Sequence, residues 1–279
     1  MLTEPVTIAR ALAQVQAEGL NRLDAQMLVL HALGKAPHDR AWLLAHDTDW
    51  LPPGALAALQ AAAARRAGGE PLAYITGCKE FFGLQLAVDP RVLVPRPDTE
   101  TLVEWALGVL PGNAPARVAD LGTGSGAIAL ALKATRGLLT VVAVDASRDA
   151  LAVAACNAQR LGLDIECVHG DWLQHVTGQF DAVVSNPPYI AAADPHLQAL
   201  RHEPALALTS GADGLDAVRT ILTQVPHHLK PGGWLLLEHG YDQASAVRAL
   251  LVAAGLQAVQ SRRDLAGIER CSGGHMPHG

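Results

Sequence analysis

Apolar and polar positions change their spacing along this chain. Over residues 6–66 apolar side chains recur every three or four residues, as at Leu23, Met27, Leu30 and Leu33. That spacing is the period of an α-helix. The pattern is interrupted by residues that end helices, at Gly19, Pro37 and Pro52-Pro53-Gly54. We therefore predict an N-terminal domain of four or five helices over residues 1–70.

The pattern becomes short and alternating between residues 71 and 97. Phe81-Phe82-Gly83 is followed by apolar and polar positions that alternate from Leu84 to Val94. Alternation with β-branched and aromatic residues is typical of strands. We predict a linker over residues 71–97 that contains a β-hairpin.

Strand-like and helical segments alternate through the rest of the chain, residues 98–279. Apolar runs predict strands at 117–121, 140–144, 165–169, 180–184, 234–238 and 257–262. Periodic segments predict helices at 102–110, 127–134, 148–161, 215–229 and 243–254. We expect Asp98 or Thr99 to cap the first helix, residues 230–233 to form a turn, and residues 272–279 to fray. The alternation predicts an α/β fold with a doubly wound, mostly parallel sheet of the Rossmann-like type.

A glycine-rich loop follows the first of these strands and opens a helix. Asp120-Leu-Gly-Thr-Gly-Ser-Gly126 has glycines at three alternate positions, where backbone can approach a ligand without clashes from Cβ. Asp145 ends the next strand, at the position where a carboxylate can bind both hydroxyls of a ribose. The loop and Asp145 together predict a site for an adenosine-containing cofactor, formed by Gly122, Thr123, Gly124, Ser125, Gly126 and Asp145.

Two further features favour S-adenosylmethionine over NAD as that cofactor. The loop alone leaves both open, because Gly122, Gly124 and Ala127 also satisfy the dinucleotide pattern G-x-G-x-x-A. Asp120 is placed to face the ammonium of a bound amino acid, whereas it would repel a pyrophosphate. After the third strand, Asp171 and Trp172 are placed to bind an adenine edge and cover its face.

The stretch Asn186-Pro187-Pro188-Tyr189 follows the apolar run at residues 180–184. The carboxyl ends of strands in open α/β sheets are where ligands bind. Two prolines remove two backbone donors, which leaves the Asn186 side chain and nearby carbonyls as a stiff set of acceptors. Such a set suits a planar NH₂ group. Asparagine is neither a general base nor a nucleophile, so we predict chemistry that depends on positioning.

Composition and charge narrow the class of function. The formal net charge is −6 and the pI about 6.0, so no general basic field attracts nucleic acid phosphates. The four cysteines and twelve histidines have no metal-ligand or disulfide spacing, and no G-x-S-x-G hydrolase motif occurs. There is no secretory signal pattern and no apolar run of roughly 18 residues. We predict a soluble cytoplasmic protein without a metal site.

Taken together, the motifs resemble those of S-adenosylmethionine-dependent amino-methyltransferases of the N-P-P-Y type, which methylate adenine in DNA or glutamine in proteins. More narrowly, the chain is similar to the peptide chain release factor glutamine N5-methyltransferases, and this similarity extends to about Arg270. It rests on Pro71-Leu-Ala-Tyr-Ile-Thr-Gly77, Val94-Pro-Arg-Pro-Asp-Thr-Glu100, the glycine loop through Leu130, Val184-Ser-Asn-Pro-Pro-Tyr-Ile190 and Leu236-Leu-Glu-His-Gly240.

The resemblance implies roles for the N-P-P-Y residues. The Asn186 side-chain oxygen and the Pro187 carbonyl would each accept one N–H of a glutamine amide, and Tyr189 would pack on the flat amide. Asn186, Pro187 and Tyr189 are thus predicted catalytic residues, and Pro188 lines the substrate site with them. Asn186 is also expected to contact the cofactor. The segment at residues 96–100 is predicted to line the pocket.

The resemblance also implies a partner, a class 1 release factor methylated in its Gly-Gly-Gln loop and bound by the N-terminal domain, with S-adenosyl-L-homocysteine as the other product. Three alternatives remain open. One is an enzyme for a glutamine of a ribosomal protein, and another is a non-catalytic adenosine-binding module. A DNA adenine methyltransferase is the third, but the acidic balance and the lack of a basic recognition insert count against it. We expect neither nucleic acid nor membrane as a partner.

Overall fold

The computed structural model describes residues 5–279, and the chain divides into two compact units between Gly77 and Cys78. Within residues 5–77 the first unit contains five helices: α1 Ile8–Ala17, α2 Arg22–Ala32, α3 Arg40–Ala45, α4 Pro53–Ala67 and α5 Leu72–Thr76. The first four confirm the predicted helical pattern, whereas α5 lies in the segment predicted as a linker with a hairpin. Side-chain oxygens of Thr7 and Asn21 cap α1 and α2. The buried core includes Leu28, Leu30, Leu43 and Leu59, whereas Leu23, part of the predicted apolar stripe, is half exposed.

The second unit begins with the predicted β-hairpin. Strands β1 (Cys78–Phe81) and β2 (Leu84–Ala87) pair antiparallel around Phe82 and Gly83. Both turn residues have positive φ, 50° and 78°, as a type I′ hairpin turn requires. The alternation in the sequence runs on to Val94, but the strand ends at Ala87 and irregular backbone follows.

The remaining elements form one layered α/β unit. Its helices are α6 Glu100–Val109, α7 Ala127–Thr135, α8 Arg148–Leu161, α9 Asp216–His228 and α10 Ala244–Ala253. Its strands are β3 Ala116–Leu121, β4 Leu139–Asp145, β5 Glu166–His169, β6 Phe180–Ser185, β7 Leu229–Glu238, β8 Gln257–Arg263 and β9 Glu269–His275. The strand order is β5-β4-β3-β6-β7-β9-β8, with β3 to β7 parallel and β8 and β9 antiparallel. The predicted doubly wound, mostly parallel sheet is confirmed.

The sheet separates two hydrophobic cores. Val118 of β3 belongs to the core that contains Leu102 of α6 and Leu130 of α7. Its neighbour Ala119 belongs to the other core, with Ile221 of α9 and Val247 of α10. Successive side chains of a strand point to opposite faces, so strands buried on both sides are apolar throughout. This explains why the strands appear in the sequence as continuous apolar runs.

The chain end differs from the prediction that residues 272–279 fray. Residues 272–275 lie in β9, which pairs with both β7 and β8 inside the sheet. The segment Cys271-Ser-Gly-Gly-His275 lacks β-branched and aromatic residues, so it has no strand pattern of its own. The neighbouring strand leaves no room for a side chain at Gly273, since a Cβ atom there would lie 2.5 Å from the carbonyl oxygen of Leu235.

Gly273→Ala is expected to lower the free energy of unfolding by about 1–3 kcal/mol, because a backbone carbonyl must move to admit the methyl group. Chemical denaturation followed by circular dichroism measures it. The matched control is Gly108 in helix α6, where a Cβ atom would have no other atom within 4 Å. Gly108→Ala is expected to stabilise by about 0.5–1 kcal/mol. Equal effects of the two substitutions would contradict the packing argument.

The predicted turn at residues 230–233 lies within β7. Phe180 pairs with Leu229 and Ala182 with Trp234, so four residues of β7 bulge out of the ladder with β6. The backbone therefore turns there, as Pro231-Gly232-Gly233 suggests, but the strand continues on both sides. Within residues 5–279, no helix is both long enough and apolar enough to cross a membrane.

Candidate active site

Strand register brings three segments side by side at one edge of the sheet. Leu121 of β3 pairs with Ser185 of β6, and Ser185 pairs with Leu237 of β7. The residues that come next, Gly122, Asn186 and Glu238, therefore leave three neighbouring strands at the same level. The chain runs from β3 to β4 on one side and returns to β6 on the other, and such a switch in direction opens a crevice at the carboxyl ends of the strands.

The glycine loop is held across the ends of β3 and β4. Gly122, Gly124 and Gly126 all have positive φ, which glycine adopts without strain. The N–H groups of Gly122 and Thr123 donate to the Val144 carbonyl, at 2.8 and 3.0 Å. Ser125 is buried, and its carbonyl accepts a 2.9 Å hydrogen bond from Asn157 Nδ2 of α8. The loop is thus a fixed cradle that leads into α7.

Asp120 is fully buried below this loop. Its Oδ2 accepts hydrogen bonds from Thr123 Oγ1 at 2.6 Å and from the Ala129 N–H at 3.1 Å. Its Oδ1 is buried and has no partner among the described residues. Burial raises the pKa of the Asp120 carboxyl to about 7, against the effect of these hydrogen bonds. An unpartnered buried carboxylate oxygen is costly, which is expected where a charged ligand group completes the site.

Asp145 and Trp172 lie at the same loop. Asp145 accepts hydrogen bonds from the Gly124 N–H at 2.9 Å and the Ser147 N–H at 2.8 Å, and burial raises its pKa. Trp172 has a φ of 56°, unusual for a bulky residue, and its ring would lie 3.7 Å from a Cβ at Gly122. Strain of this kind clusters at ligand sites. The Asp171 side chain is exposed.

Asn186 is held by a residue far away in the sequence. Its Nδ2 donates to Thr99 Oγ1 at 3.2 Å, and no described residue donates to its Oδ1 or to the Pro187 carbonyl. Pro187 is buried, and Pro188 and Tyr189 are partly buried. The stiff acceptor set that the sequence predicts is therefore present, with two acceptors unused.

Tyr189 fixes the other end of the motif. Its carbonyl accepts a 3.0 Å hydrogen bond from Gln243 Nε2. Burial raises the pKa of its phenol to about 12, and the charge of Glu238 adds to this while Arg270 and Arg96 oppose it. Tyr189 is thus a neutral side chain among charged groups.

The segment at residues 96–100 lies beside the N-P-P-Y motif, and each of its polar side chains is used in a tertiary contact. Arg96 forms an ion pair with the buried Glu203, and Asp98 lies 3.5 Å from Arg270. Glu100 accepts a hydrogen bond from the Phe82 N–H. The predicted helix cap is wrong: Thr99 is at the N-cap position of α6, but its side chain makes no capping bond and accepts from Asn186.

Other residues at the site were not predicted as site residues. Glu238 ends β7, is 1% exposed and has an Oε2 without a partner in the described part of the chain. Burial raises its pKa to about 7, whereas hydrogen bonds from Thr99 and Asn186 and the Arg270 charge lower it. The sequence signal that could have identified Glu238 as a site residue is an acidic residue at the end of a strongly apolar strand, the same signal that identified Asp145. Within residues 5–279 no group of three or more His, Cys, Asp or Glu side chains is arranged to hold a metal ion.

Comparisons with known proteins agree with this geometry. The "Methyltransferase small domain" family matches residues 100–244, and the "PrmC N-terminal domain" family matches residues 7–77. A release factor glutamine methyltransferase of Bordetella pertussis is 55% identical over 92% of this chain and 96% of its own length. The protein of the same name from Escherichia coli is 43% identical over 94% and 95%. Among solved structures, a methyltransferase from Pyrococcus furiosus has the same fold, with a TM-score of 0.55, 20% identity and coverage of 77% of this chain and 97% of its own.

Proposed function

The chain belongs to the release factor glutamine methyltransferase family, and from this premise we propose that it methylates the side-chain amide nitrogen (N5) of the glutamine in the Gly-Gly-Gln loop of class 1 release factors. The observation that carries the proposal is the register of β3 and β6. It brings an adenosine-type loop and a rigid set of amide acceptors to neighbouring strand ends. Neither feature alone would specify methyl transfer to an NH₂ group.

The residues present fit S-adenosylmethionine. The glycine loop offers close backbone approach, Asp145 offers carboxylate oxygens for a ribose, and the Trp172 ring against Gly122 offers a flat surface for adenine. The unpartnered Asp120 Oδ1 suits the ammonium of the methionine part. We propose Asp120, residues 122–126, Asp145, Asp171, Trp172 and Asn186 as the residues that hold it. When bound, S-adenosylmethionine supplies a methyl group that its sulfonium activates toward nucleophiles.

The chain then has to bind and orient a poor nucleophile, since the lone pair of an amide nitrogen is delocalised into its carbonyl. Asn186 Oδ1 and the Pro187 carbonyl each accept one N–H of the substrate amide. These bonds place electron density on the nitrogen and favour its pyramidal geometry, and they strengthen as positive charge develops in the transition state. The nitrogen gives up one of its two N–H protons when it gains the methyl group, so the product is a neutral N-methyl amide. Tyr189 packs on the flat amide and excludes water. Orientation of this kind contributes up to roughly 7–11 kcal/mol in favourable cases.

The helical domain predicted over residues 1–70 is proposed to bind the release factor. The match of residues 7–77 to the PrmC N-terminal domain family supports a distinct module there. The acidic net charge of −6 supports a protein partner over nucleic acid, which stays a prediction.

A radiolabelled methyl-transfer assay tests the function. The substrates are a class 1 release factor, the same factor with its loop glutamine changed to alanine, large-subunit ribosomal proteins and plasmid DNA. We expect label on the first substrate alone. Label on the alanine variant, on a ribosomal protein or on DNA would replace the proposal with one of its alternatives, and cofactor binding without transfer to any of them would indicate a non-catalytic module.

Asp145→Ala is expected to raise the Kd for S-adenosyl-L-homocysteine by about 10- to 100-fold, the loss expected when hydrogen bonds to a charged group are removed. Isothermal titration calorimetry measures it. Asp164→Ala, at an exposed loop position, is the matched control and should leave the Kd unchanged. A Kd for Asp145→Ala equal to that of the control would remove Asp145 from the cofactor site.

A further inference from the structure

Three side chains from three separate parts of the chain meet behind the N-P-P-Y motif. Asn186 follows β6, Glu238 ends β7, and Thr99 precedes α6. Thr99 is 4% exposed and Glu238 1% exposed, so water does not compete for their hydrogen bonds. Asn186 Nδ2 donates to Thr99 Oγ1 at 3.2 Å. Ser185 pairs with Leu237, so Asn186 and Glu238 stand at the ends of neighbouring strands, and the Glu238 Oε2 has no partner among the described residues.

This arrangement favours one of the two orientations of the Asn186 side-chain amide. The amide has two N–H donors and one oxygen acceptor. One donor is bonded to Thr99, and the buried Glu238 carboxyl at the neighbouring strand end is a further acceptor, so the oxygen is the group left for a substrate. A rotation of the amide by 180° would bring its oxygen against the carboxylate of Glu238, and two acceptors facing each other in a buried site repel. When ionised, the Glu238 carboxyl therefore selects between two orientations that the shape of the amide alone would not distinguish.

We propose that Glu238, acting with Thr99, is a positioning residue that fixes the Asn186 amide with its oxygen available to the substrate NH₂ group. This inference rests on the proposed function, because it assigns to Glu238 the orientation of the acceptor used in methyl transfer. Glu238 itself need not touch the substrate. Its unpartnered Oε2 is the acceptor available to the second N–H of Asn186.

The other charged and titratable groups around Glu238 are compatible with this role. Arg270 of β9 lowers the pKa of the Glu238 carboxyl, while Asp98 raises it. Tyr189 and Cys271 also interact electrostatically with Glu238, and burial raises the pKa of both. The Arg270 charge is shared with Asp98 and Asp264, at 3.5 and 3.2 Å. Arg270 thus balances the acidic groups, whereas the directional bond of the cluster is the one from Asn186 to Thr99.

Two matched substitutions at Thr99 test the proposal through activity. Thr99→Val keeps the shape but removes the hydroxyl, and Thr99→Ser keeps the hydroxyl. We expect kcat on a release factor to fall about tenfold or more in Thr99→Val and Glu238→Gln, and to stay within about threefold of wild type in Thr99→Ser. KM for the release factor and the Kd for S-adenosyl-L-homocysteine should change little in all three. Equal kcat values for Thr99→Val and Thr99→Ser would overturn the proposal.

A second measurement does not depend on activity. The chain has four asparagines, Asn21, Asn113, Asn157 and Asn186, so selective ¹⁵N-asparagine labelling gives four side-chain NH₂ pairs in an NMR spectrum. Asn186→Asp identifies the pair of Asn186 by its loss. That pair should shift in Thr99→Val and in Glu238→Gln but keep its position in Thr99→Ser, and the pairs of Asn21 and Asn113 should not move.

The two measurements separate the two ideas. If no substrate is methylated but the Asn186 resonances respond as expected, the function is wrong and the positioning network stands. If the release factor is methylated but the Asn186 resonances and kcat are insensitive to Thr99→Val and Glu238→Gln, the network is wrong and the function stands. Thermal melts establish that each variant is folded before its kcat and resonances are interpreted.

Discussion

Replacing Asn186 by alanine is expected to lower kcat by about 10²- to 10³-fold, the range found when one hydrogen-bonding group that stabilises a transition state is removed. Asn186 Oδ1 is the side-chain acceptor proposed for the substrate amide, and no described residue donates a hydrogen bond to it. The contribution appears in kcat because the bond strengthens only as charge develops on the nitrogen. Any rise in the Kd for S-adenosyl-L-homocysteine should be smaller than the loss in kcat. Initial rates at saturating release factor, with calorimetry for the cofactor product, measure both.

The control for this substitution is Asn113→Ala, at an exposed loop position of the same unit. It should leave kcat, Kd and Tm at the wild-type values. If Asn186→Ala keeps a kcat within about threefold of wild type, the acceptor role is wrong and methyl transfer must depend on other groups. If Tm also falls, kcat is measured below the Tm of the variant, where retained binding of S-adenosyl-L-homocysteine shows that the chain is folded.

Local patterns in the sequence predicted both halves of the candidate site, and the structure places these segments at neighbouring strand ends. The glycine loop, Asp145 and the N-P-P-Y stretch each follow a continuous apolar run, and strands buried on both faces produce such runs. Because the carboxyl ends of parallel strands share one edge, residues that follow them are brought together without any knowledge of distances. The pairing of Leu121 with Ser185 is the structural form of that argument.

The residues that support the site from behind could not be assigned from the same patterns. Thr99 precedes a helix, and a threonine there is ordinarily a cap. Its hydroxyl instead meets Asn186, 87 positions away, because α6 packs against the sheet. Nothing local distinguishes the two uses of one hydroxyl.

Strand β9, the last along the chain, was not predicted from the sequence for a related reason. Composition around Gly273 and Gly274 argues against a strand, and only the neighbouring strands explain the glycines. A Cβ at Gly274 would lie 2.8 Å from the carbonyl oxygen of Gln257. Glycines that allow close packing give β9 no alternation of apolar and polar residues. Its strand conformation follows instead from its pairing with β7 and β8.

Gly214 also lies where neighbouring atoms leave no room for a side chain, and we expect a substitution there to disturb the active site. It is buried, has a φ of 77°, and a Cβ atom there would overlap the carbonyl oxygen of Tyr189 and press on Gln243 Nε2. Those two atoms are joined by the 3.0 Å hydrogen bond that holds the end of the N-P-P-Y motif. A methyl group at position 214 must therefore push the Tyr189 backbone, and with it the acceptors of Asn186 and Pro187.

Gly214→Ala is accordingly expected to lower kcat/KM for the release factor by about 10²-fold, the loss that follows from a displacement on the order of 1 Å in a positioned site. The substitution also forces alanine into a left-handed conformation, which by itself costs about 1 kcal/mol or more of stability. Gly255→Ala isolates that cost, because Gly255 has a φ of 85° and no atom within 4 Å of the added Cβ. The two variants should lose similar stability from backbone strain, and only Gly214→Ala should lose kcat/KM. If Gly255→Ala loses as much kcat/KM, or Gly214→Ala loses none, the contact between Gly214 and the Tyr189 carbonyl does not position the motif.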